Sequence, residues 1–140
     1  MDSIKVSDCM SRQFVSFEPE MPLVEAAVAL VKNELLGGPV VDAQGHLIGW
    51  ISEQDCIGAV SQVMYYEDRV AVVSDIMSKE VTKSAPDRNA LDLAEDMKNH
   101  KRKIYPVVNS EDKVVGVISR RHILKEMLER ITHPEAPNPQ

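Results

Sequence analysis

The sequence predicts a mixed fold (α/β, of the α+β kind) built from two tandem repeats, each β-α-β-β-α, that face one another about a pseudo-two-fold axis. The first observation behind this is a duplication. Val6-Ser7-Asp8-Cys9-Met10-Ser11 returns as Val73-Ser74-Asp75-Ile76-Met77-Ser78. The same offset of 67 carries Pro39-Val40-Val41 onto Pro106-Val107-Val108, and Gly49, Ile51 and Ser52 onto Gly116, Ile118 and Ser119, without a gap. The second observation is periodicity: in each copy a stretch of apolar residues at helical spacing stands between short apolar runs bounded by turn residues. A repeat of this size leaves an apolar face that only its twin can bury, and the crevice between twins is where a small ligand fits.

Each element has its own signal. A copy opens with a short segment, Val6 to Ser11 or Val73 to Ser78, and a brief strand, Phe14 to Phe17 or Val81 to Ser84. Pro19 and Pro22, and Pro86 in copy two, mark the loop into a helix. Leu23, Ala26, Ala27, Leu30 and Val31 give that helix its buried face in copy one, matched by Leu91, Ala94 and Met97 in copy two. Gly37-Gly38 is expected to end the first helix, and Pro39 to Asp42 to form a buried strand. Ala43-Gln44-Gly45-His46 reads as a hairpin turn into a strand from Leu47 to Ile51. The second hairpin runs from Pro106 through Ser110-Glu111-Asp112-Lys113 to Ile118. Ser52 and Ser119 then cap helices from Glu53 to about Met64 and from Arg120 to about Ile131. This places the repeats at 1–67 and 68–132, with cores of about 6–64 and 73–131. Tyr65 to Val72 connects them, and a Pro-rich tail, 133–140, is expected to be disordered.

Composition narrows the function. The 140 residues are 44% hydrophobic and 27% charged, which suits an ordinary globular chain. The formal net charge of −6 argues against nucleic acid as a partner, since phosphate backbones are bound by an excess of Lys and Arg. No apolar run approaches the ~20 residues of a membrane helix. Met1-Asp2-Ser3-Ile4-Lys5 lacks the basic and apolar regions of a signal peptide, so the expected compartment is the cytoplasm. Cys9 and Cys56 stand where copy two has Ile76 and Ile123, so both are expected as buried, unpaired thiols. His46, His100 and His133 are scattered over a turn, a helix end and the tail, and there is no P-loop or dinucleotide glycine motif. No catalytic residue, metal site or obligatory cofactor is expected.

The informative stretch is Gly49-Trp50-Ile51-Ser52-Glu53-Gln54-Asp55. A strand that ends in a hydroxyl residue and opens a helix directs several free backbone N–H groups at one spot, which suits an oxygen-rich ligand. Asp55 lies in the first turn and can accept two hydrogen bonds from a vicinal diol such as a ribose. A second reading stays open: Ser52 and Asp55 form a capping box whether or not a ligand binds. In copy two His122 replaces the aspartate, and a neutral imidazole has at most one lone pair to offer.

The doubled β-α-β-β-α order, with Pro-Val-Val in one strand and Gly-x-Ile-Ser-x-x-Asp at the exit of the next, resembles the CBS domain family. Two copies from Val6 to Ile131 resemble the tandem CBS pair, or Bateman module. The resemblance implies that Asp55 contacts ribose hydroxyls and Ser52 the nucleoside. It implies that Arg121, with Arg120 beside it, and Lys103 reach a phosphate, while Lys101 and Arg102 read as a solvated helix end. It implies an adenine slot lined by Val15, Ser16, Met21, Pro22, Pro39 and Val40, with Phe14 and Phe17 as packing or stacking residues. The expected function is a stand-alone regulatory module that binds an adenine nucleotide or related adenosyl compound (AMP, ADP, ATP or S-adenosylmethionine) and acts on an unidentified protein target. The competing reading is a ligand-independent interaction module with vestigial sites. Both expect a homodimer through the helices Leu23 to Lys32, Glu53 to Met64, Leu91 to Lys98 and Ile123 to Ile131, which carry more apolar surface than one pair can cover.

Overall fold

The computed structural model describes residues 3–66, 71–100 and 102–134. The middle of the connection between repeats, Lys101, and the Pro-rich tail from residue 135 lie outside the described residues. In chain order the elements are α1 (Val6–Cys9), α2 (Leu23–Lys32), β1 (Gly37–Val41), β2 (Leu47–Ser52), α3 (Glu53–Tyr66), α4 (Val73–Ile76), α5 (Ala90–Met97), β3 (Ile104–Val108), β4 (Val114–Ser119) and α6 (Arg120–Thr132). This is the mixed fold the duplication predicts.

The two hairpins, β1–β2 and β3–β4, are antiparallel and share one register at the 67 offset, down to the irregularity at Val40/Val41 and at Val107/Val108. Their turns are held alike. The Asp42 carboxylate accepts from the N–H groups of Gln44 and His46, both at 2.9 Å, and the Asn109 side-chain Oδ1 from those of Glu111 and Lys113 at 2.9 and 3.0 Å. A short side-chain acceptor that bonds its own backbone two residues on is what fixes such a turn. The left-handed position falls on Gly45 (φ +88°) and Asp112 (φ +63°).

The backbone contacts between halves come in symmetric pairs. Lys5 bridges Asn89 as Pro22 bridges Val72, and Ser11 bridges Val117 as Trp50 bridges Ser78. The His46–Lys113 bridge is its own mate at the 67 offset, so it sits on the pseudo-two-fold axis. On either side of it the N–H groups of Leu47 and Val114 donate to the carbonyls of Asp112 and Gly45, at 3.0 and 3.1 Å.

The cores do not follow the repeats. One cluster joins Val6 and Met10 of the first copy to Leu93, Met97, Tyr105, Ile118 and Ile123 of the second. The other joins Val73, with Ile76 and Met77 packed beside it, to Phe17, Leu23, Leu30, Val40 and Ile51. Each head segment is thus exchanged into the other half, and neither stretch of about 60 residues that the repeat boundaries delimit holds a complete core. Val6 and Val73 are both fully buried. The recurring Val-Ser-Asp explains the local turn: Asp8 and Asp75 accept from the N–H groups of Lys5 and Val72, at 2.9 and 3.1 Å, and so start α1 and α4.

The exchange also explains a motif glycine. A Cβ on Gly49 would stand 2.5 Å from Met77 Sδ and 3.0 Å from the Ser78 carbonyl, and one on Gly116 would stand 2.9 Å from Met10 Sδ and 2.8 Å from the Ser11 carbonyl. The exchanged heads cross the sheets there.

Several expectations are corrected. The opening strand of each copy is reduced to one parallel bridge, Phe17 to Val40 and Ser84 to Val107. Gly37-Gly38 does not end α2; the helix closes at Asn33, Glu34 takes the left-handed conformation (φ +54°), and both glycines lie in β1. They are there for space, since a Cβ on Gly37 would strike the Trp50 indole and one on Gly38 the Phe17 ring. Copy two inverts the volumes, with Ile104 and Tyr105 in place of the glycines and Val117 and Ser84 in place of Trp50 and Phe17. Val31, expected on the buried face of α2, is 80% exposed. Both thiols are free, but Cys9 is only half-buried. Its thiol is pushed up to about 11, chiefly by burial, with Glu126 and Asp8 adding to it.

Candidate functional site

β2 runs straight into α3, and the junction is closed by two reciprocal bonds. Ser52 Oγ accepts from the Asp55 N–H at 3.1 Å, and Asp55 Oδ2 accepts from the Ser52 N–H at 3.3 Å. The Glu53 N–H donates to the Leu36 carbonyl at 2.9 Å. The expectation of several free backbone donors is therefore not met: the protein uses them itself and leaves at most that of Gln54. Both residues of the box are half-buried, and Asp55 keeps Oδ1 for an incoming group.

The charge of this carboxylate acts on Arg102, a residue expected at a solvated helix end. α5 stops at Met97, and Arg102 lies beyond it. Arg102 instead lays its guanidinium over the Trp50 ring, 5.0 Å from the centroid, and its Nη1 is buried without a hydrogen-bond partner among the described residues. Burial pulls the guanidinium below its ordinary value, and the charge of Asp55 offsets part of that. Trp50 is itself only 2% exposed, two residues before Ser52 on the same strand. β2 and the first turn of α3 in copy one thus present an indole, a hydroxyl and a carboxylate, and copy two supplies a half-buried cation. No sequence signal singled out Arg102, because its mate in copy one is Leu35 and the stacking partner is distant in sequence.

The equivalent place in copy two is different. Ser119 Oγ accepts from the His122 N–H at 3.2 Å, and His122 Nδ1 accepts from the Ser119 N–H at 3.1 Å, so the histidine completes the same box. That bond fixes the neutral tautomer with the proton on Nε2. Burial, and then the charge of Lys125, hold His122 below its ordinary value. Val117 and Leu35 stand where copy one has Trp50 and copy two has Arg102, so neither aromatic nor cation is supplied.

The remaining expected residues differ in exposure. Lys103, Arg120 and Arg121 are exposed. Val40 is fully buried in the copy-one core, and Phe17 packs in the same cluster. Pro39 is buried in β1, Met21 packs against the same core, Val15 is half-buried, and Ser16 and Pro22 are exposed. A mostly apolar groove of about 680 Å³ lies elsewhere, between α2 and α3. Among the described residues no group of His, Cys, Asp and Glu is placed to hold a metal, and no helix is long and apolar enough to cross a membrane.

The sequence pattern described as CBS domain matches residues 6–62 and 73–129. The chain belongs to the CBS domain family. It is 27% identical to a putative acetoin utilization protein (AcuB) from Vibrio cholerae, with 98% of this chain and 99% of that one covered at a TM-score of 0.81. It is 25% identical to the CBS domain pair of protein MJ0100 in complex with 5'-methylthioadenosine and S-adenosyl-L-methionine, covering 89% and 99% at a TM-score of 0.75. It is 31% identical over 123 residues to inosine-5'-monophosphate dehydrogenase from Aquifex aeolicus. That match covers 87% of this chain but only 23% of the length of the enzyme.

Proposed function

We propose that this CBS pair is a non-catalytic regulatory module that binds one adenosyl ligand, with a phosphorylated adenine nucleotide (AMP, ADP or ATP) favoured, in the copy-one crevice. The observation that carries the reading is the convergence of Ser52, Asp55 and Trp50 from copy one with Arg102 from copy two, while copy two has His122 in place of the carboxylate. Asp55 Oδ1 accepts from the ribose diol, Ser52 holds the nucleoside, and the unpartnered Arg102 Nη1 donates to the ligand's anionic group. Arg120, Arg121 and Lys103, all exposed, are the further cations proposed for the same anion. Val15, Ser16, Met21, Pro22 and Pro39 remain the proposed wall of the base. The CBS domain pair of MJ0100, which is similar to this chain, holds adenosyl compounds, and this supports the ligand class. The module acts as a homodimer on a separate protein target.

A thermal-shift panel of AMP, ADP, ATP, adenosine and S-adenosylmethionine tests this. A ligand at 100 times its dissociation constant stabilises by about 2.7 kcal/mol. No shift with any of the five would leave the ligand-independent interaction module as the function.

A further inference from the structure

Among the described residues two buried side-chain atoms have no hydrogen-bond partner, Arg102 Nη1 and the Tyr105 hydroxyl. They belong to residues three apart at the entry to β3, and the mates of those residues in copy one, Leu35 and Gly38, carry no polar side-chain atom. Packing accounts for the Tyr105 ring but not for its hydroxyl. In copy one the Phe17 ring occupies the space beside Gly38, where a Cβ would stand 2.6 Å from it. In copy two Ser84 replaces Phe17, and the strand supplies the aromatic ring itself: Tyr105 is 1% exposed and packs with Leu93 and Met97. A phenylalanine would fill the same volume. The hydroxyl forfeits its bonds to water and gains none from the protein in return. Nor can it swing outward, because the ring is held in the core and meets His100 edge-on with centroids 6.3 Å apart. Arg102 is within electrostatic reach of both this hydroxyl and the Asp55 carboxylate. Arg88 and Asp96 also act on the hydroxyl, but those two side chains are engaged with one another.

We infer that the Tyr105 hydroxyl is a second donor to the anion that Arg102 takes, and that the two together select a phosphorylated adenine nucleotide over adenosine and S-adenosylmethionine. This rests on the nucleotide reading of the preceding section and adds a residue and a selection rule to it. A phosphate offers several acceptor oxygens and a full negative charge, so it satisfies both orphaned donors at once. Adenosine brings no anion and leaves both unpaired, which is the costly outcome in a site built to hydrogen-bond. S-adenosylmethionine sets a sulfonium cation next to its ribose, where a half-buried guanidinium repels it. Arg102, stacked on Trp50, supplies the charge, and the locked phenol supplies the direction. Donors buried before the ligand arrives lower the stability of the free chain, and they need no reordering when the ligand binds.

Tyr105→Phe in the full chain separates a hydroxyl kept for binding from one that only accompanies the ring. Isothermal titration should show AMP weakened about ten- to a hundredfold, the scale of a hydrogen bond to a charged group, and adenosine within about twofold of the parent. Melts without ligand should place the variant at or above the parent, because the ring stays and an orphaned polar atom goes. Added to Arg102→Ala, the substitution should cost less AMP affinity than the product of the two single losses, since both side chains serve one anion. Unchanged AMP affinity, an equal loss for AMP and adenosine, or a lowered melting temperature overturns the role of the hydroxyl while leaving the nucleotide site intact. A parent that prefers S-adenosylmethionine to AMP overturns the selection rule. A parent that binds none of the three ligands overturns the nucleotide reading itself.

Discussion

At the scale of single residues, the proposed site makes the difference between Asp55 and His122 the source of asymmetric binding, and the same difference bears on stability. Asp55→Ala is expected to lower affinity for an adenine nucleotide by about 1–3 kcal/mol, the range of hydrogen bonds to a charged group, and His122→Ala to leave it nearly unchanged. Arg102→Ala should weaken AMP and spare adenosine, and Arg102→Lys should restore little, because an ammonium cannot reproduce a planar guanidinium stacked on an indole. Titration with the two ligands separates these outcomes. His122 also gives a pH dependence. Its folded-state value lies below the ordinary imidazole value, so its contribution to stability is present above about pH 6.5 and is lost as the pH falls through the lower folded value. Protonation at Nδ1 removes the acceptor for the Ser119 N–H and puts a positive charge at the start of α6, a combined cost of about 0.5–2 kcal/mol. Thermal melts at pH 7 and pH 5 should show this loss in the parent and not in His122→Asp; an equal loss in both contradicts the tautomer assignment. The Ser-x-x-Asp box was legible because both of its partners lie within one turn. Arg102 was not, because its position depends on a long-range stack with Trp50.

At the scale of elements, the glycines separate space from propensity. Gly49→Ala and Gly116→Ala each drive a Cβ into a methionine sulfur and a backbone carbonyl of the exchanged head, which should cost about 1–3 kcal/mol. Gly58→Ala, in α3 with nothing within 4 Å of the added carbon, should stabilise by about 0.5–1 kcal/mol. Urea melts of the three variants check the signs, and a stabilised Gly49→Ala would show that the heads do not cross there. Helix and hairpin positions were readable from periodicity and turn residues, since both signals are local. The opening strands were misread because one bridging residue, Phe17 or Ser84, is all the sheet accepts. Gly37-Gly38 was misread as a stop because glycine marks close approach as readily as a helix end, and only the Trp50 and Phe17 rings reveal which.

At the scale of the whole molecule, duplication predicted the pseudo-two-fold axis, and the paired bridges around His46 and Lys113 report it. Duplication could not predict the exchange of heads, because swapped and unswapped arrangements have the same repeat. The exchange has a direct consequence: residues 1–66 expressed alone lack Val73, Ile76 and Met77 from their core and are expected to stay unfolded by circular dichroism until mixed with 67–140. A folded, monomeric first half would contradict it. The central claim is that the fold is symmetric while its ligand chemistry is not. Isothermal titration of AMP into the intact protein tests this most directly. The account predicts one site per chain, lost or strongly weakened in Asp55→Ala and retained in His122→Ala; two equivalent sites per chain, equal damage from both substitutions, or no heat with any adenosyl ligand would contradict it.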